Sequence, residues 1–230
     1  MRETNLASRR KFLKFTAGAA GCVFAPGAGA AALAFGGGMI APAASFDRAD
    51  ASDADINILG PKPGYSPQVG TLVSMLTWMQ EAIYRSTKGL TQANLDYLFD
   101  PQANTIGALM LHLAAAEVFY QANTFDGTEF SEAMKEKWGP AMDLGDAGRK
   151  TIKGHDRDYY LGVLKETRQK SLAGFAKRDD AWLMTVDQKW YCGPTNNYCK
   201  WFHVCEHISH HCGQIEFLRK RVPGAEKPKE

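Results

Sequence analysis

Apolar residues recur at helical spacing in four long stretches of this chain, and no stretch alternates in the way a half-buried strand would. In the first, Val69, Leu72, Val73, Leu76, Met79 and Ile83 share one face. Ser66 and Pro67 supply an N-cap and a first-turn proline, and Gly89 a stop, so the pattern predicts a helix from 66 to about 88. Residues 91–99 read as a short helical connector. The second stretch opens at Asn104-Thr105 and runs to about Ala122. It is apolar almost all round, which predicts a helix packed on every side. Glu117, on its polar remainder, reads as solvated or hydrogen-bonded. A long connection over 126–155 follows, with a short helix expected around 129–137, and its length lets it cross the bundle. The third helix, 156–177, turns Tyr160, Leu164, Leu172 and Phe175 inward. Residues 179–195 carry Trp182, Trp190 and Tyr191 and read as a non-helical run that covers the bundle end or lines a pocket mouth. Asn196-Asn197 caps a last helix that ends before Pro223-Gly224. The pattern predicts an all-α four-helix bundle over 66–222, with a solvated linker at 45–65 and a tail at 223–230.

The last helix carries the densest chemistry. Residues 201–221 hold four of the six histidines. At about 100° per residue, taking His203 as zero puts His207 near 40° and His211 near 80°, roughly where Val204, Ile208, Ile215 and Leu218 mark the core face. His210 falls outside it. One histidine on an apolar face is ordinarily a satisfied core residue. Two beside the core at i,i+4 are another matter, because each neutral imidazole buried without a partner costs free energy. Imidazoles so spaced can close on one metal ion. His112, the only histidine of the second helix, is the natural third ligand, since three protein ligands leave one coordination position open. His203 and Gln214 face the same side and are candidates to orient the ligands. Glu206 points elsewhere. Three imidazoles suit zinc first, and also nickel, iron and copper. A carboxylate di-iron bundle is excluded, because it needs Glu-x-x-His pairs and no Glu here has a His three residues on.

Charge changes the picture at the N-terminus. Residues 1–44 carry five basic side chains against Glu3, a net of +4, which leaves −2 for the remainder out of the chain's +2. That balance gives no electrostatic footprint for nucleic acid. The basic residues precede a weakly apolar run rich in Ala and Gly. Ser8-Arg9-Arg10-Lys11-Phe12-Leu13-Lys14 and this run resemble a twin-arginine export signal over 1–44, with a small-residue cleavage site at Ala41-Pro42-Ala43. The resemblance implies a partnership with the twin-arginine translocation machinery and a periplasmic or cell-envelope location in a bacterium. A lipoprotein reading through Cys22 lacks the usual Leu three residues earlier, and retention of an uncleaved anchor is the other alternative. In an oxidising compartment Cys192 and Cys199 are compatible with a disulfide, whereas Cys205 and Cys212 stand two turns apart on one helix, about 10 Å, which is too far.

Two segments taken together carry a family resemblance. Asn104-Thr105-Ile106-Gly107-x-Leu109-x-x-His112-Leu113 and His207-x-x-x-His211-x-Gly213-Gln214-Ile215 resemble the DinB-like (DinB/YfiT) superfamily, across roughly residues 66–222. The resemblance implies an up-down-down-up bundle with one divalent metal held by His112, His207 and His211, and it is compatible with a homodimer. Relatives often carry Arg after the final histidine, where this chain has Cys212. Characterised members resemble thiol-dependent transferases or isomerases that use low-molecular-weight thiols such as mycothiol or bacillithiol. The implied function is activation of a thiol or a water for attack on a small electrophile. A thiolate makes an S-transferase and a water makes a hydrolase. The alternative from another class is a non-catalytic metal-binding or stress-related envelope protein, in which the ion locks the second helix to the last.

Overall fold

The computed structural model describes residues 56–225, which lie in one compact unit, Asp47–Glu230. The expected export signal, its expected cleavage site and Cys22 lie outside the described residues. Four long helices form the frame: α1 (Pro67–Ser86), α3 (Ile106–Gln121), α6 (Arg157–Phe175) and α8 (Asn197–Arg219). Shorter ones join them: α2 (Gln92–Leu95), α4 (Glu132–Asp143), α5 (Gly145–Thr151) and α7 (Asp180–Met184). The fold is the all-α bundle that the hydrophobic pattern predicts. Among the described residues no helix is long and apolar enough to cross a membrane.

Side-chain contacts fix the direction of each helix. Arg219, at the end of α8, donates to the carbonyls of Arg85 and Ser86 at the end of α1, so these two run parallel. Glu117 and Gln121 late in α3 meet Arg168 and Ser171 late in α6, and Gly107 early in α3 lies against Tyr160 early in α6. That pair is parallel too. Thr124, just beyond α3, accepts from Trp201 early in α8, which makes α3 and α8 antiparallel. Arg157, at the start of α6, reaches back to Tyr84 and Thr87 at the end of α1. The order is up-down-down-up.

Several local features differ from the pattern-based expectation. Ser66 occupies the N-cap of α1, but its hydroxyl does not cap the helix. It donates instead to Asp180 Oδ1, which also accepts from the backbone N–H groups of Gln68 (2.9 Å) and Val69 (3.1 Å). A carboxylate from the far end of the chain thus satisfies the orphan donors of the first helix. Residues 57–62 are tied to α1 while most of them stay exposed: Gly60 N–H donates to Ser74 Oγ and Trp78 Nε1 to Asn57 Oδ1. The helix expected at 129–137 runs on to Asp143, through Trp138, Gly139 and Pro140. Ser131 caps its start, and Pro140 so near the end removes only one helical hydrogen bond. Leu144, in the left-handed region at φ 55°, then breaks the path into α5. The run at 179–195 is not wholly irregular. Asp179 caps the short α7, and β1 (Val186–Asp187) pairs antiparallel with β2 (Thr195–Asn196).

Helix α3 has no solvent face. It packs against α6, α8 and α4, and at its C-terminus it widens into a π-helical turn, Ala122–Asp126. That turn delivers Phe125 onto Trp201, with ring centroids 5.1 Å apart, and Phe175 completes the cluster at 4.6 Å from Trp201. Glu117 is therefore buried, and of the two readings its position left open, solvated or hydrogen-bonded, the structure has the second. It accepts two hydrogen bonds of 2.8 Å from Arg168 and one of 2.6 Å from Ser171. A side chain on the polar remainder of a helix is solvated only if that side meets water, and here α6 covers it.

Candidate metal centre

Helices α3 and α8 cross so that His112 faces His207 and His211. His207 Nε2 lies 3.1 Å from His112 Nε2 and 2.9 Å from His211 Nε2. The three rings meet edge to face, with centroids 4.5–4.9 Å apart. His112 and His211 are buried and His207 nearly so. Among the described residues this is the one group of three or more His, Cys, Asp or Glu side chains placed to hold an ion.

What holds each ring also sets its tautomer. His112 Nδ1 lies 2.8 Å from the carbonyl of Ala141 and His211 Nδ1 lies 2.8 Å from Gln214 Oε1. Both oxygens are acceptors only, so both Nδ1 atoms carry the proton and both Nε2 atoms turn a lone pair inward. Ala141 stands in the last turn of α4, where carbonyls lack helical partners, and the imidazole satisfies one of them. The Gln214 amide in turn donates to His210 Nε2 at 3.0 Å, which anchors the orienting group to the surface.

Electrostatics favour the metal-ready state. Burial pulls His207 down to about 2 and His211 to about 4, helped by repulsion from the neighbouring imidazoles, and burial also lowers His112. All three are neutral near pH 7. Three neutral nitrogens converging at these distances cannot satisfy one another, because two of them hold only lone pairs toward the centre and a single proton on His207 cannot serve both fully. A divalent cation satisfies all three. Tetrahedral nitrogen ligands at 2.0–2.1 Å from zinc stand about 3.3 Å apart, so the observed 2.9 and 3.1 Å need only a small opening. The residues fit the group.

Two further residues read from the sequence take distinct places. Gln214 is a direct hydrogen-bond partner of a candidate ligand. His203 stacks on His207, centroids 5.5 Å apart, but its Nδ1 pairs with Glu206 at 3.0 Å and it does not join the group of three. Glu206, which points away from the site on the helical wheel, thus acts on its edge. Tyr120 lies against His203 at 6.0 Å and Trp190 against Tyr120 at 6.0 Å, so the β1–β2 hairpin borders the histidine stripe. The Ala141 carbonyl is the partner that sequence reasoning missed. Its signal was slight, a Gly-Pro pair just before it near a helix end.

The model of the mycothiol-S-transferase family matches residues 71–224, which includes all three histidines. The chain belongs to this family. Mycothiol-S-transferases are DinB-like, in agreement with the four-helix architecture. A crystal structure of a conserved protein from Enterococcus faecalis shares the fold, with a TM-score of 0.51 and 16% identity over 66% of this chain and 94% of that one. No curated protein matches the chain.

Proposed function

We propose that this protein is an exported metal-dependent S-transferase in which His112, His207 and His211 hold one divalent ion, zinc in the first instance. The observation that carries the reading is the convergence of three Nε2 atoms, two of them with Nδ1 committed to fixed acceptors, in a chain of the mycothiol-S-transferase family. A divalent ion held there supplies Lewis acidity that favours a thiolate over a thiol at neutral pH.

The protein's own residues do the rest. Ala141 and Gln214 fix two imidazoles, so little rearrangement is needed on loading. His203, held through Nδ1 by Glu206, presents Nε2 beside the site as an acceptor for the proton a thiol gives up. His203 lies outside the group of three histidines placed to hold an ion, so three ligands leave a coordination position open, and this favours an enzyme over a purely structural metal protein. The substrate pair is then a low-molecular-weight thiol of the mycothiol kind and a small electrophile. Water in place of the thiol would make the chain a hydrolase.

The test is metal analysis of the untagged mature chain beside His112→Ala, His207→Ala and His211→Ala, followed by assay of the loaded protein with mycothiol, bacillithiol and no thiol. About one ion per chain, lost in each variant, with transfer that depends on the thiol, supports the proposal. Retention of the ion by the variants overturns the ligand set. Turnover without thiol moves the chain to the hydrolases. Export is tested separately by fractionating cells that carry the wild type or Arg9→Lys/Arg10→Lys, which should remain in the cytoplasm.

A further inference from the structure

We propose that Trp190, held in place by Lys200, is the wall against which the electrophile packs, and that the electrophile it selects carries an aromatic ring. This names the second substrate of the transfer proposed above and rests on that reading. Helices α3 and α8 run antiparallel, and the face of α8 that carries Lys200, His203, His207 and His211 meets α3 along one seam. Three contacts mark it. His112 meets His207 at 3.1 Å, Tyr120 meets His203 with ring centroids 6.0 Å apart, and Asn123, in the π-helical turn, accepts from Lys200 Nζ at 2.7 Å. The ion-binding group occupies one end of this seam, and the aromatic rings begin one helical turn away, where His203 stacks on His207.

Lys200 is a buried lysine with its donors in use. Its side chain is 2% exposed, and Nζ donates to Asn123 and to Asp187 Oδ2 (2.9 Å) and stands 4.0 Å from the centre of the Trp190 ring. Such a buried charge is tolerable because it is paired, hydrogen-bonded and set on an aromatic face. Asp187 belongs to β1 and Trp190 to the loop that follows it, so one ammonium binds the hairpin to the first turn of α8 and to the end of α3. The result is a placed indole. Trp190 lies 6.0 Å from Tyr120 and 5.9 Å from Phe119, and Phe119 lies 5.8 Å from Phe130. Trp190, Phe119 and Phe130 are each only partly buried, so their rings are open to a ligand as well as to one another. Lys200 and Asp187 neutralise one another behind this wall, and the wall itself is ring surface. An aromatic body gains offset or edge-to-face contacts there that an aliphatic body does not.

In the transfer, the thiolate sulfur attacks the electrophilic carbon. The C–S bond forms, the bond to the leaving group breaks, the leaving group departs with the electron pair, and the proton of the thiol passes to His203 Nε2. His203 touches His207 on one side and Tyr120 on the other, so the proton acceptor and the wall lie side by side. Trp190 is thus a specificity-determining residue and Lys200 its positioning residue.

Phenacyl chloride and chloroacetone test this, because they share a chloromethyl ketone and differ in a phenyl against a methyl group. The metal-loaded chain is assayed with mycothiol in excess over its own exposed thiols, and each rate is divided by the uncatalysed rate with the same thiol. It should favour phenacyl chloride by about 10-fold in kcat/KM, the equivalent of one good stacking contact. Trp190→Leu should bring the ratio near unity through a higher KM for phenacyl chloride. Lys200→Met should do the same with its metal content intact, and Lys200→Arg, which keeps a cation against the indole, should restore most of the preference. Acetophenone, which has the ring and no leaving group, gives a reading independent of turnover: its saturation-transfer NMR signal on the apo chain should fall about threefold in Trp190→Leu. A wild-type ratio near unity, a preference that survives Trp190→Leu, or a KM that rises for mycothiol instead of for phenacyl chloride overturns the proposal. So does an equal acetophenone signal in wild type and Trp190→Leu. If neither chloroketone is turned over, the transferase reading falls, and the acetophenone comparison alone decides whether Trp190 makes an aromatic-binding wall.

Discussion

Replacing Arg168 by methionine should destabilise the bundle strongly although Arg168 is not one of the three converging histidines' partners. The guanidinium donates to both oxygens of Glu117 at 2.8 Å, and the two side chains are only 6% and 3% exposed. With Arg168 gone, Glu117 keeps one bond, from Ser171 Oγ, and no counter-charge. An uncompensated buried charge of this kind costs about 3–5 kcal/mol. A domain of this size loses about 2–4 °C of Tm per kcal/mol, so the expected fall is about 10 °C, read by calorimetry or circular dichroism on the apo chain. The attraction within the pair mainly offsets its own desolvation, and Arg168 Nη1 has no partner at all. Glu117→Leu/Arg168→Met should therefore recover most of the loss, to within about 2 kcal/mol of wild type. A single variant that loses less than about 1 kcal/mol, or a double variant no better than the single, would refute the reasoning. Both variants should still take up one ion per chain, because neither residue touches the histidines.

Other parts of the structure give equally specific expectations. Gln214→Leu removes the acceptor on His211 Nδ1 and should weaken metal affinity by about 10–100-fold without changing stoichiometry at saturation, as a competition titration with a chromophoric chelator would show. The apo protein should lose stability as pH falls. His207 and His211 are held below the ordinary histidine range, so the unfolded chain binds more protons from about pH 6.5 down to about 4, at up to about 1.4 kcal/mol per pH unit for each histidine. Urea titrations of the apo chain at pH 7.5, 6 and 5 would measure the slope, and His211→Gln should flatten it. Gly107→Ala places a methyl about 2.7 Å from the Tyr160 hydroxyl and should cost about 1–3 kcal/mol by forcing α3 and α6 apart, measurable as a shift in denaturation midpoint.

The helical period alone places His207 and His211 on the core side of α8 and leaves His210 outside, as the structure has them. Local signals of this kind are legible because a helix converts spacing directly into direction. What escaped the sequence depends on contacts between distant segments. Asp180 caps α1 across more than a hundred residues, and no local motif announces it. The Ala141 carbonyl orients His112 only because α4 runs six residues beyond its expected end and lies across α3. Glu117 was legible only in part: its position left it solvated or hydrogen-bonded, and the partner that makes a buried carboxylate tolerable sits on α6, in a stretch whose own pattern says nothing of Glu117.

The clamp at Asp180 also bears on how the molecule is made. As the chain leaves the ribosome, α1 is among the first segments of the domain to emerge, yet the carboxylate that completes its N-terminus comes more than a hundred residues later. The histidine group is similarly late, because two of its three members lie in the final helix. A nascent chain halted before α7 has neither the clamp nor the ion-binding group. Both are assembled only when synthesis is nearly finished.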